Sequence, residues 1–539
     1  MGRFEVTKPR ERKKKYWSRS SPEGPWDYIV VGSGMGGMTA AAFLAELGKR
    51  VLVLEQHYVP GGFTHTFPRK GYEWDVGVHA VGEVTRHSLT GRLLDRLSHG
   101  RLKWASLGPV YDSFHFPDGF RIDFPDSPGQ FRANLLEAFP DEEKAIDAYF
   151  AKVREVGGSM RSYYLARTVP RRWARPVDWL LARQAQGFLE LKTADVIDQL
   201  TDNEKLKTVL TAQFGYYGVT PSRASFAMQA LVAKHYFHGA YYPEGGSGEI
   251  ARTLLRTVSE HGGWTRILAD VDQILIERNR AVGVRLADGE EIRAKRVISA
   301  VGVASTINRL LPEPYTDQPW ARETGNLRPA PAHVCLYMGF KGDIRKAGAS
   351  GANLWFYNTW DNEKDTWIVP DEGTPEPAEI LYCSFPSLKD PKHDPGPEQR
   401  HTGEVVTFVP WKQFEPWLGS PWGKRGEDYE RLKKRMEDAL LRQFLGRMPE
   451  LEPMLDLVEL STPLSTDHFC RPNQGSIYGL EPTPQRFRNP WLRPRSPITG
   501  LFFAGSEVAT VGVIGAMMGG VLATIAAEPI RGVRYLSKA

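Results

Sequence analysis

The pattern of hydrophobic and polar positions changes character several times along the chain. Near its beginning, an apolar run at 28–31 leads into a glycine cluster, a helical stretch of small residues at 38–47, and a second apolar run at 51–54 that ends at Glu55. Two short apolar runs on either side of a helical stretch are typical of a strand–helix–strand unit. The pattern therefore predicts a parallel sheet that starts with this unit.

Two later blocks return to the same character. The first, 241–310, predicts one helix and five strands, at 249–261 and then at 266–271, 274–277, 282–286 and, as two strands, within 291–301. The second predicts a strand at 501–504, a loop through Gly512 and then a helix of small residues that ends at 527, within the uncharged stretch 508–527. That helix has no charged residue, but it is mostly Gly, Ala and Thr and its hydrophobicity is low. We expect it to be buried against a cofactor and not to cross a membrane.

The segments between these blocks differ. From 85 to 240 glycine thins and helical periodicity appears, for example at 131–139 and 143–156. From 311 to 460, strand-like runs lie among Trp- and Pro-rich loops before a charged helix at 426–448. The prediction is an α/β protein: a discontinuous, Rossmann-like nucleotide-binding domain with a doubly wound parallel sheet, made of 27–84, 241–310 and 461–539, and a second, α+β substrate domain made of the insertions 85–240 and 311–460.

The glycine cluster carries the first chemical signal. Gly32 allows a tight turn out of the strand, Gly34 lets backbone approach a pyrophosphate, and Gly37 lets helix and sheet pack closely. Glu55 stands where a carboxylate binds a ribose diol. A lone G-x-G-x-x-G is weak evidence, but here strand, glycines, helix, second strand and acid follow in order. These residues predict a dinucleotide site without naming the dinucleotide.

Composition removes several classes of function. A formal charge of +5 on 539 residues does not indicate nucleic-acid binding. The three cysteines, Cys335, Cys383 and Cys470, are far apart, so we predict neither a metal site nor a redox dithiol. No second dinucleotide fold is visible, which argues against a resident NAD(P)H domain. The first residues lack the apolar core of a secretory signal, and we expect a cytoplasmic protein.

Two segments raise the question of membrane contact. Residues 1–26 contain a basic cluster, which is either a solvated tail or a polybasic contact with anionic lipid headgroups. The segment between Arg171 and Leu181 mixes Arg, Trp and Leu. It predicts either a peripheral membrane contact or a surface helix whose arginine stems cover apolar neighbours. The oligomeric state is not readable from the sequence.

Several motifs together resemble a known family. They are the fingerprint 32–37 with Glu55, Gly61-Gly62-Phe63, Asp75 to His79, Tyr242 to Gly246, Phe385-Pro-Ser-Leu-Lys-Asp-Pro391, Ile477 to Glu481, Leu501 to Glu507, and Gly512 to Ala516. The chain is similar to the flavin amine-oxidase and phytoene-desaturase superfamily, and within it to the carotenoid isomerase and retinol saturase branch. The resemblance covers about 25–530. It supports the fold and the cofactor more strongly than the substrate.

The resemblance implies non-covalently bound FAD and an apolar isoprenoid polyene as substrate. The cofactor contacts that it implies are Gly32, Ser33, Gly34 and Gly37 at the pyrophosphate, Glu55 at the ribose, Val271 at the adenine side, Gly61, Gly62, Gly77, Val78 and His79 toward the isoalloxazine, and Gly505, Ser506, Glu507, Val513 and Ile514 completing the cradle. Transient use of NAD(P)H as an electron donor stays open.

The expected reaction is hydride exchange between flavin N5 and a C=C bond, as in a saturase, desaturase or isomerase. His79 is the first candidate for proton transfer, because imidazole titrates near neutral pH, and a structural histidine is the competing interpretation. Tyr478 is a second candidate, and its alternative role is an aromatic wall. Two other functions remain open: an amine oxidase of the same fold, and a flavin-bound lipid-binding protein without catalysis.

Overall fold

The computed structural model describes residues 16–364, 366–370 and 372–538. The basic cluster on which the polybasic lipid contact depends lies at 8–15, outside the described residues. Two sheets organise the described chain. The first sheet is built from the three α/β blocks, with the strand Trp17–Ser18 of the predicted tail 1–26 added at its edge. The second sheet is built from the two insertions.

The first sheet has eight strands and is mostly parallel. Its order is Trp17–Ser18, Trp264–Ile267, Val51–Glu55, Trp26–Val31, Glu291–Ser299, Arg280–Leu286 and Val271–Glu277, with Leu501–Phe503 also paired to Glu291–Ser299. The strand Arg280–Leu286 pairs antiparallel with both of its neighbours, Val271–Glu277 and Glu291–Ser299, and all other neighbours pair parallel. This arrangement confirms the predicted α/β class, with the parallel core extended by an antiparallel hairpin.

One strand prediction in this sheet is wrong. We expected two strands within 291–301, and the structure has the single strand Glu291–Ser299. Its first residues pair with the antiparallel hairpin, at Glu291 to Arg293, and its last residues pair with two parallel strands. The strand therefore changes partners along its length. The alternation of polar and apolar positions is interrupted at this change, which is why the sequence predicted two strands.

Small residues allow the helices around the first sheet to pack very closely against one another. The helix Met35–Glu46 has every residue from Met35 to Ala45 buried, and it packs between Gly512–Ala527 and Gly248–Glu260. A Cβ added at Gly520 would lie 2.3 Å from the carbonyl oxygen of Gly36. Larger side chains at this crossing would force the two helices apart. The glycine and alanine content of both helices thus reflects packing as well as cofactor approach.

The second sheet has seven strands and joins both insertions. Its order is Leu455–Ser461, Ala332–Lys341, Arg400–Val409, Ile380–Ser384, Asn353–Tyr357, Val110–His115 and Arg121–Pro125. Only the pairing of Asn353–Tyr357 with Val110–His115 is parallel. Helical periodicity in the first insertion did not predict its two strands. Both are short, and Val110–His115 pairs with Asn353–Tyr357, more than two hundred positions away, while Arg121–Pro125 pairs with Val110–His115.

The remaining elements cover these sheets. Two small antiparallel sheets have two strands each. One pairs Thr66–Arg69 with Tyr72–Asp75, and the other pairs Trp104–Ser106 with Tyr241–Pro243. The other helices of at least eight residues are Leu89–Leu97, Pro128–Ala138, Glu143–Thr168, Ala174–Leu181, Arg183–Glu190, Glu204–Thr211, Phe226–Tyr236, Glu427–Arg447, Pro463–Cys470 and Pro529–Leu536. Among the described residues, no helix combines the length and the apolar character needed to cross a bilayer.

Candidate active site

One cavity of about 560 Å³ runs from the glycine turn of the first sheet to the face of the second sheet. It lies at the carboxyl ends of the strands Trp26–Val31 and Val51–Glu55, where ligands bind in open parallel sheets. Most of the predicted site residues line it: Gly32, Ser33, Gly34, Glu55, Gly62, Gly77, His79, Val271, Tyr478, Gly505, Ser506, Glu507, Val513 and Ile514.

Three predicted cofactor contacts lie behind the cavity wall instead. A Cβ at Gly37 would stand 2.1 Å from the carbonyl oxygen of Gly32, so this glycine serves helix–strand packing. Gly61 has φ +131° and donates its N–H to Ser33 Oγ at 3.0 Å. Val78 is 1% exposed and belongs to the core around the helix Met35–Glu46. These three residues shape the wall without bordering the space.

The glycine end of the cavity fits a diphosphate. A Cβ at Gly34 would meet no atom within 4 Å, and the same holds for Gly512. Each glycine stands at the N-terminus of a long helix, Met35–Glu46 or Gly512–Ala527, and neither N-terminus has a side-chain cap. Free N–H groups and two positive dipole ends therefore meet at one open space, which is the environment that a phosphate prefers.

The ribose end is organised by Glu55. Its Oε2 accepts hydrogen bonds from Ser33 N at 2.9 Å and Ser33 Oγ at 2.6 Å, and its Oε1 accepts from His57 N at 2.8 Å. Oε1 accepts this one hydrogen bond and keeps acceptor capacity for a ribose hydroxyl. The Ser33 hydroxyl, predicted to face the pyrophosphate, is held between Glu55 and the N–H of Gly61.

The C-terminal block closes the cradle from the other side. Gly505 has φ +103°, and Gly36 approaches it so closely that a Cβ there would lie 2.6 Å from the Gly505 Cα. Glu507 Oε2 accepts from the N–H groups of Val303 and Ala304 at 2.6 and 3.2 Å. Burial raises the pKa of Glu507, and the neighbouring Arg486 opposes that rise. The Glu507 carboxyl thus holds the 302–304 turn in place.

The other end of the cavity is an aromatic and aliphatic chamber that sequence reasoning did not assign to particular residues. Its walls come from the helices Glu143–Thr168 and Phe226–Tyr236 and from the second sheet. Side chains lining it are Met160, Tyr164, Tyr216, Met228, Leu231, Val232, Tyr236, His333, Trp355, Ile380, Tyr382, Val406, Phe408 and Tyr478. Such a lining suits an apolar, extended ligand.

The two catalytic candidates occupy different positions in this chamber. Tyr478 lines the wall, and its hydroxyl donates to the carbonyl oxygen of Gly215 at 3.0 Å, which leaves the ring as its contribution to the lining. His79 lies where the cradle meets the chamber, with its ring 5.3 Å from that of Tyr382. Burial, together with the charge of Lys389, lowers the pKa of His79 to about 3, so the imidazole is neutral.

Charged side chains behind His79 are the residues that sequence reasoning missed. Lys389 is 4% exposed and donates from Nζ to the carbonyl oxygen of His79 at 2.8 Å and to Ser384 Oγ at 2.7 Å. It lies in the Phe385–Pro391 motif, where one lysine among apolar residues was the available signal. Glu404, in a buried stretch of the strand Arg400–Val409, is 1% exposed.

A group of metal-ligand types lies elsewhere. Among the described residues, Glu46, His99 and His261 have ligand atoms within 4.8 Å of one another. None of them lines the cavity, and Glu46 Oε1 already pairs with His99 Nε2 at 2.6 Å. The three cysteines are free.

Comparison with known proteins places this geometry in context. The family model described as flavin containing amine oxidoreductase matches residues 35–526. All-trans-retinol 13,14-reductase of Rattus norvegicus is 32% identical, covering 97% of this chain and 89% of the relative. An inactive all-trans-retinol 13,14-reductase of Danio rerio is 30% identical over 94% of this chain and 86% of that protein.

More distant matches broaden the picture. Prolycopene isomerase of Arabidopsis thaliana is 26% identical, covering 86% of this chain and 76% of the relative. The structure of putrescine oxidase bound to putrescine superposes with a TM-score of 0.61 at 16% identity, covering 94% of this chain and 99% of that one. At that identity the superposition speaks for the fold alone.

Proposed function

Because this chain belongs to the family of flavin-containing amine oxidoreductases, which implies FAD as cofactor, we propose that it reduces one C=C bond of an apolar isoprenoid polyene. The observation that carries the proposal is the continuity of the cavity, in which a glycine cradle for a dinucleotide opens directly into an aromatic chamber. The near full-length similarity to proteins called retinol reductases supports a retinoid-like substrate.

The residues of this chain divide the work as follows. Bound FAD supplies hydride transfer at flavin N5. The N-termini of Met35–Glu46 and Gly512–Ala527 hold its diphosphate, and Glu55 holds the ribose. The chamber aligns the polyene by apolar contact, because aromatic and aliphatic side chains form most of its lining. His79, at the junction of cradle and chamber, delivers the proton that saturation of a double bond requires.

Three competing functions have some support of their own. An isomerase is favoured by the similarity to prolycopene isomerase, and an amine oxidase is favoured by the fold shared with putrescine oxidase. A flavin-bound protein without catalysis is favoured by the similarity to the inactive reductase. The aromatic chamber accommodates a polyene better than a hydrophilic diamine, which is why we place the reductase first.

One set of mixing experiments separates these functions. Purified protein is examined for a flavin spectrum. Anaerobically reduced protein is mixed with all-trans-retinol and with a carotene, and oxidised protein is mixed with putrescine. Reoxidation of the flavin by a polyene, with a product two hydrogens heavier, supports the reductase. An isomer shift without reoxidation supports the isomerase. Reduction of the oxidised flavin by the amine supports the amine oxidase. No reaction with any of the three compounds supports the non-catalytic protein. Absence of flavin overturns the proposal.

The helical segments that follow the chamber helix Glu143–Thr168 in sequence support membrane contact. The helix Glu143–Thr168 lines the chamber with Met160 and Tyr164, and the next helical segments expose Trp173, Trp179 and Leu180 at 56%, 69% and 71%. Such a cluster costs free energy in water and is stabilised in a membrane interface. We propose that it docks on a bilayer, from which the polyene enters.

Vesicle binding tests this contact. A Trp179→Ser, Leu180→Ser double variant is expected to lose at least tenfold in affinity for vesicles of mixed neutral and anionic lipid, because two exposed apolar anchors are removed. Ile530→Ser, at an 86% exposed position on the helix Pro529–Leu536, is the matched control and should bind as the parent does. Equal binding of the double variant and the parent would reject the docking surface.

A further inference from the structure

A buried cluster of ionisable side chains lies behind His79, outside the cavity. It consists of Asp75 at the end of Tyr72–Asp75, Glu404 in Arg400–Val409 and Lys389 in the short helix Pro386–Lys389. Their exposures are 1%, 1% and 4%, and none of the three lines the cavity. Burying charged groups is costly unless they are paired, so a cluster of this kind beside a cavity wall calls for a function.

The contact between Glu404 and His79 is the centre of this cluster. Glu404 Oε2 lies 3.2 Å from His79 Nδ1, and among the described residues neither of these buried atoms has a hydrogen-bond partner assigned to it. Glu404 Oε1 accepts from the N–H of Asp75 at 3.2 Å. Because Nδ1 is fully buried, the part of the imidazole that borders the cavity carries Nε2. The ring thus connects a hidden carboxyl to the chamber.

Protonation states follow from the surroundings. Burial lowers the pKa of His79 to about 3, with the charges of Lys389 and His333 acting in the same direction. Burial, and then the nearby Asp75 carboxylate, raise the pKa of Glu404 well above its ordinary value. A neutral carboxylic acid therefore faces a neutral imidazole. With the carboxyl proton on Oε2, the O–H donates to Nδ1, which leaves the imidazole proton on Nε2.

Other charged groups that face Glu404 also affect the protonation of the Glu404–His79 pair. Lys389 adds a positive charge that favours the Glu404 carboxylate, and burial lowers the pKa of Lys389 to about 7. The Asp75 carboxyl accepts from the Tyr242 hydroxyl and from Ser247 N at 3.2 Å, and burial raises the pKa of Asp75 to about 6.

The neighbouring strand Ala332–Lys341 adds two more titratable groups. Cys335 and Tyr337 lie on this strand, and burial raises the pKa of both. Both groups are therefore neutral at physiological pH. Burial and Asp75 favour the neutral form of Glu404, and the charge of Lys389 favours its ionised form.

We propose that Glu404 and His79 form a proton relay, in which His79 Nε2 is the catalytic proton donor at the chamber wall and Glu404 is the positioning residue that sets its tautomer and resupplies its proton. This inference rests on the proposed reductase function. It adds to that function the group that positions His79 and resupplies its proton, and a role for the Lys389-containing motif.

The step balances as follows. One carbon of the substrate double bond receives a hydride from the reduced flavin, and its neighbour receives the proton of His79 Nε2. At the same time the Glu404 carboxyl proton moves to Nδ1. The π bond is lost and two C–H bonds form, the polyene gains two electrons, and the flavin loses two. Glu404 ends as a carboxylate beside Lys389, and one proton from solvent restores the starting state.

The first test reads protonation without requiring turnover. We compare infrared spectra of the wild-type protein and of Glu404→Gln at pH 7. The wild-type spectrum should contain the carbonyl stretch of a protonated carboxylic acid, and the spectrum of the variant should lack it. Glu459→Gln is the matched control, because Glu459 lies opposite Tyr337 on the other neighbouring strand but is half-exposed and ion-paired with Arg69. Its spectrum should keep the band. A Glu404 band that is absent at pH 7 overturns the relay.

The second test reads the tautomer. Nitrogen-15 NMR of the His79 side chain should show a neutral ring protonated on Nε2 from pH 5 to 8, with and without FAD. Glu404→Leu removes the donor to Nδ1, and the His79 signal should then move toward a mixture of tautomers. A wild-type ring protonated on Nδ1 rejects the proposal even if the variant fails to fold.

The third test reads the proton transfer itself. In anaerobic single turnovers, Glu404→Gln should slow flavin reoxidation by the polyene by about 10²–10⁴-fold, the usual contribution of general acid catalysis, and should change its pH profile. FAD content and reoxidation by oxygen should match those of Glu459→Gln. Wild-type rates in Glu404→Gln overturn the relay alone. A wild-type protein that no polyene reoxidises overturns the proposed reductase, while the infrared and NMR readouts still decide the hydrogen-bond arrangement.

Discussion

The two ends of the cavity are built on opposite principles. The cradle is made by leaving side chains out: Gly34 and Gly512 border open space, and Gly36, Gly37 and Gly520 let backbones approach within contact distance. The chamber is made by adding large side chains, with Trp355 stacked on Phe114 at 10° between ring planes and packed against Tyr382 at 4.6 Å. A shared, polar cofactor end needs backbone, whereas an apolar ligand needs side-chain surface.

This difference has a consequence for substitution. In the cradle, one added methyl group either collides with backbone or occupies cofactor space. Each of these positions therefore tolerates glycine alone. In the chamber, side chains of similar volume can replace one another at modest cost, because apolar contact is not directional. Cofactor choice is thus rigid in this fold and substrate choice is adjustable, which fits reductases, isomerases and oxidases sharing one architecture.

The largest expected effect separates two roles within the cradle. Gly37→Val should abolish folding, because even its Cβ would stand 2.1 Å from the Gly32 carbonyl oxygen and overpacking of this degree exceeds the usual 1–3 kcal/mol. Gly34→Val is the control, since a Cβ there meets no atom within 4 Å. It should keep the thermal stability of the apoprotein and lose bound FAD. A Gly34→Val protein that retains FAD would place the diphosphate elsewhere.

The next effect concerns the chamber. Trp355→Ala should cost about 3–5 kcal/mol of unfolding free energy, measured by urea denaturation, because this side chain is 3% exposed and a cavity remains. The remaining folded protein should still bind FAD, since Trp355 belongs to the second sheet. Trp173→Ala, at a 56% exposed position, should change stability by less than about 0.5 kcal/mol. Loss of FAD at unchanged stability would erase the distinction between the two ends.

A pH effect of intermediate size is expected from His333. Burial lowers its pKa to about 4 in the folded protein, below the ordinary 6.5, so the unfolded state binds the extra proton and stability falls as pH drops from 6.5 toward 4. His333→Gln should remove about 2–3 kcal/mol of this acid sensitivity. Urea titrations at pH 7.5 and 5 provide the measurement. Both proteins keep His79 and Glu404, so the comparison isolates His333. The same change of unfolding free energy with pH in both proteins would contradict the lowered pKa of His333.

The smallest effect tests the polar edge of the chamber. The Tyr382 hydroxyl is buried and has no hydrogen-bond partner among the described residues. Tyr382→Phe should therefore leave stability within about 1 kcal/mol of the parent or raise it, because an unsatisfied polar group is removed. Tyr357→Phe is the contrast, since its hydroxyl donates to the Ala212 carbonyl oxygen and its loss should destabilise. A larger loss for Tyr382→Phe would indicate an ordered water or a ligand contact.

The predicted and the observed site overlap most where backbone decides the chemistry. Gly32, Gly34 and Glu55 were assigned from spacing, and the structure places all three along one cavity. Ser33 was assigned to the pyrophosphate by position alone, and its hydroxyl is engaged by Glu55 and Gly61. Spacing locates a backbone, but it does not say which neighbour a short hydroxyl selects.

By itself, the sequence determined the strand–helix–strand unit, the α/β class and the glycine positions of the cradle, because local steric rules link these residues to one another over short distances. Only the tertiary structure brought the strands Val110–His115 and Asn353–Tyr357 side by side and set Glu404 and Lys389 behind His79. Those neighbours are separated by hundreds of positions. Their proximity depends on long-range packing, and packing also sets the burial that decides which of them carry protons.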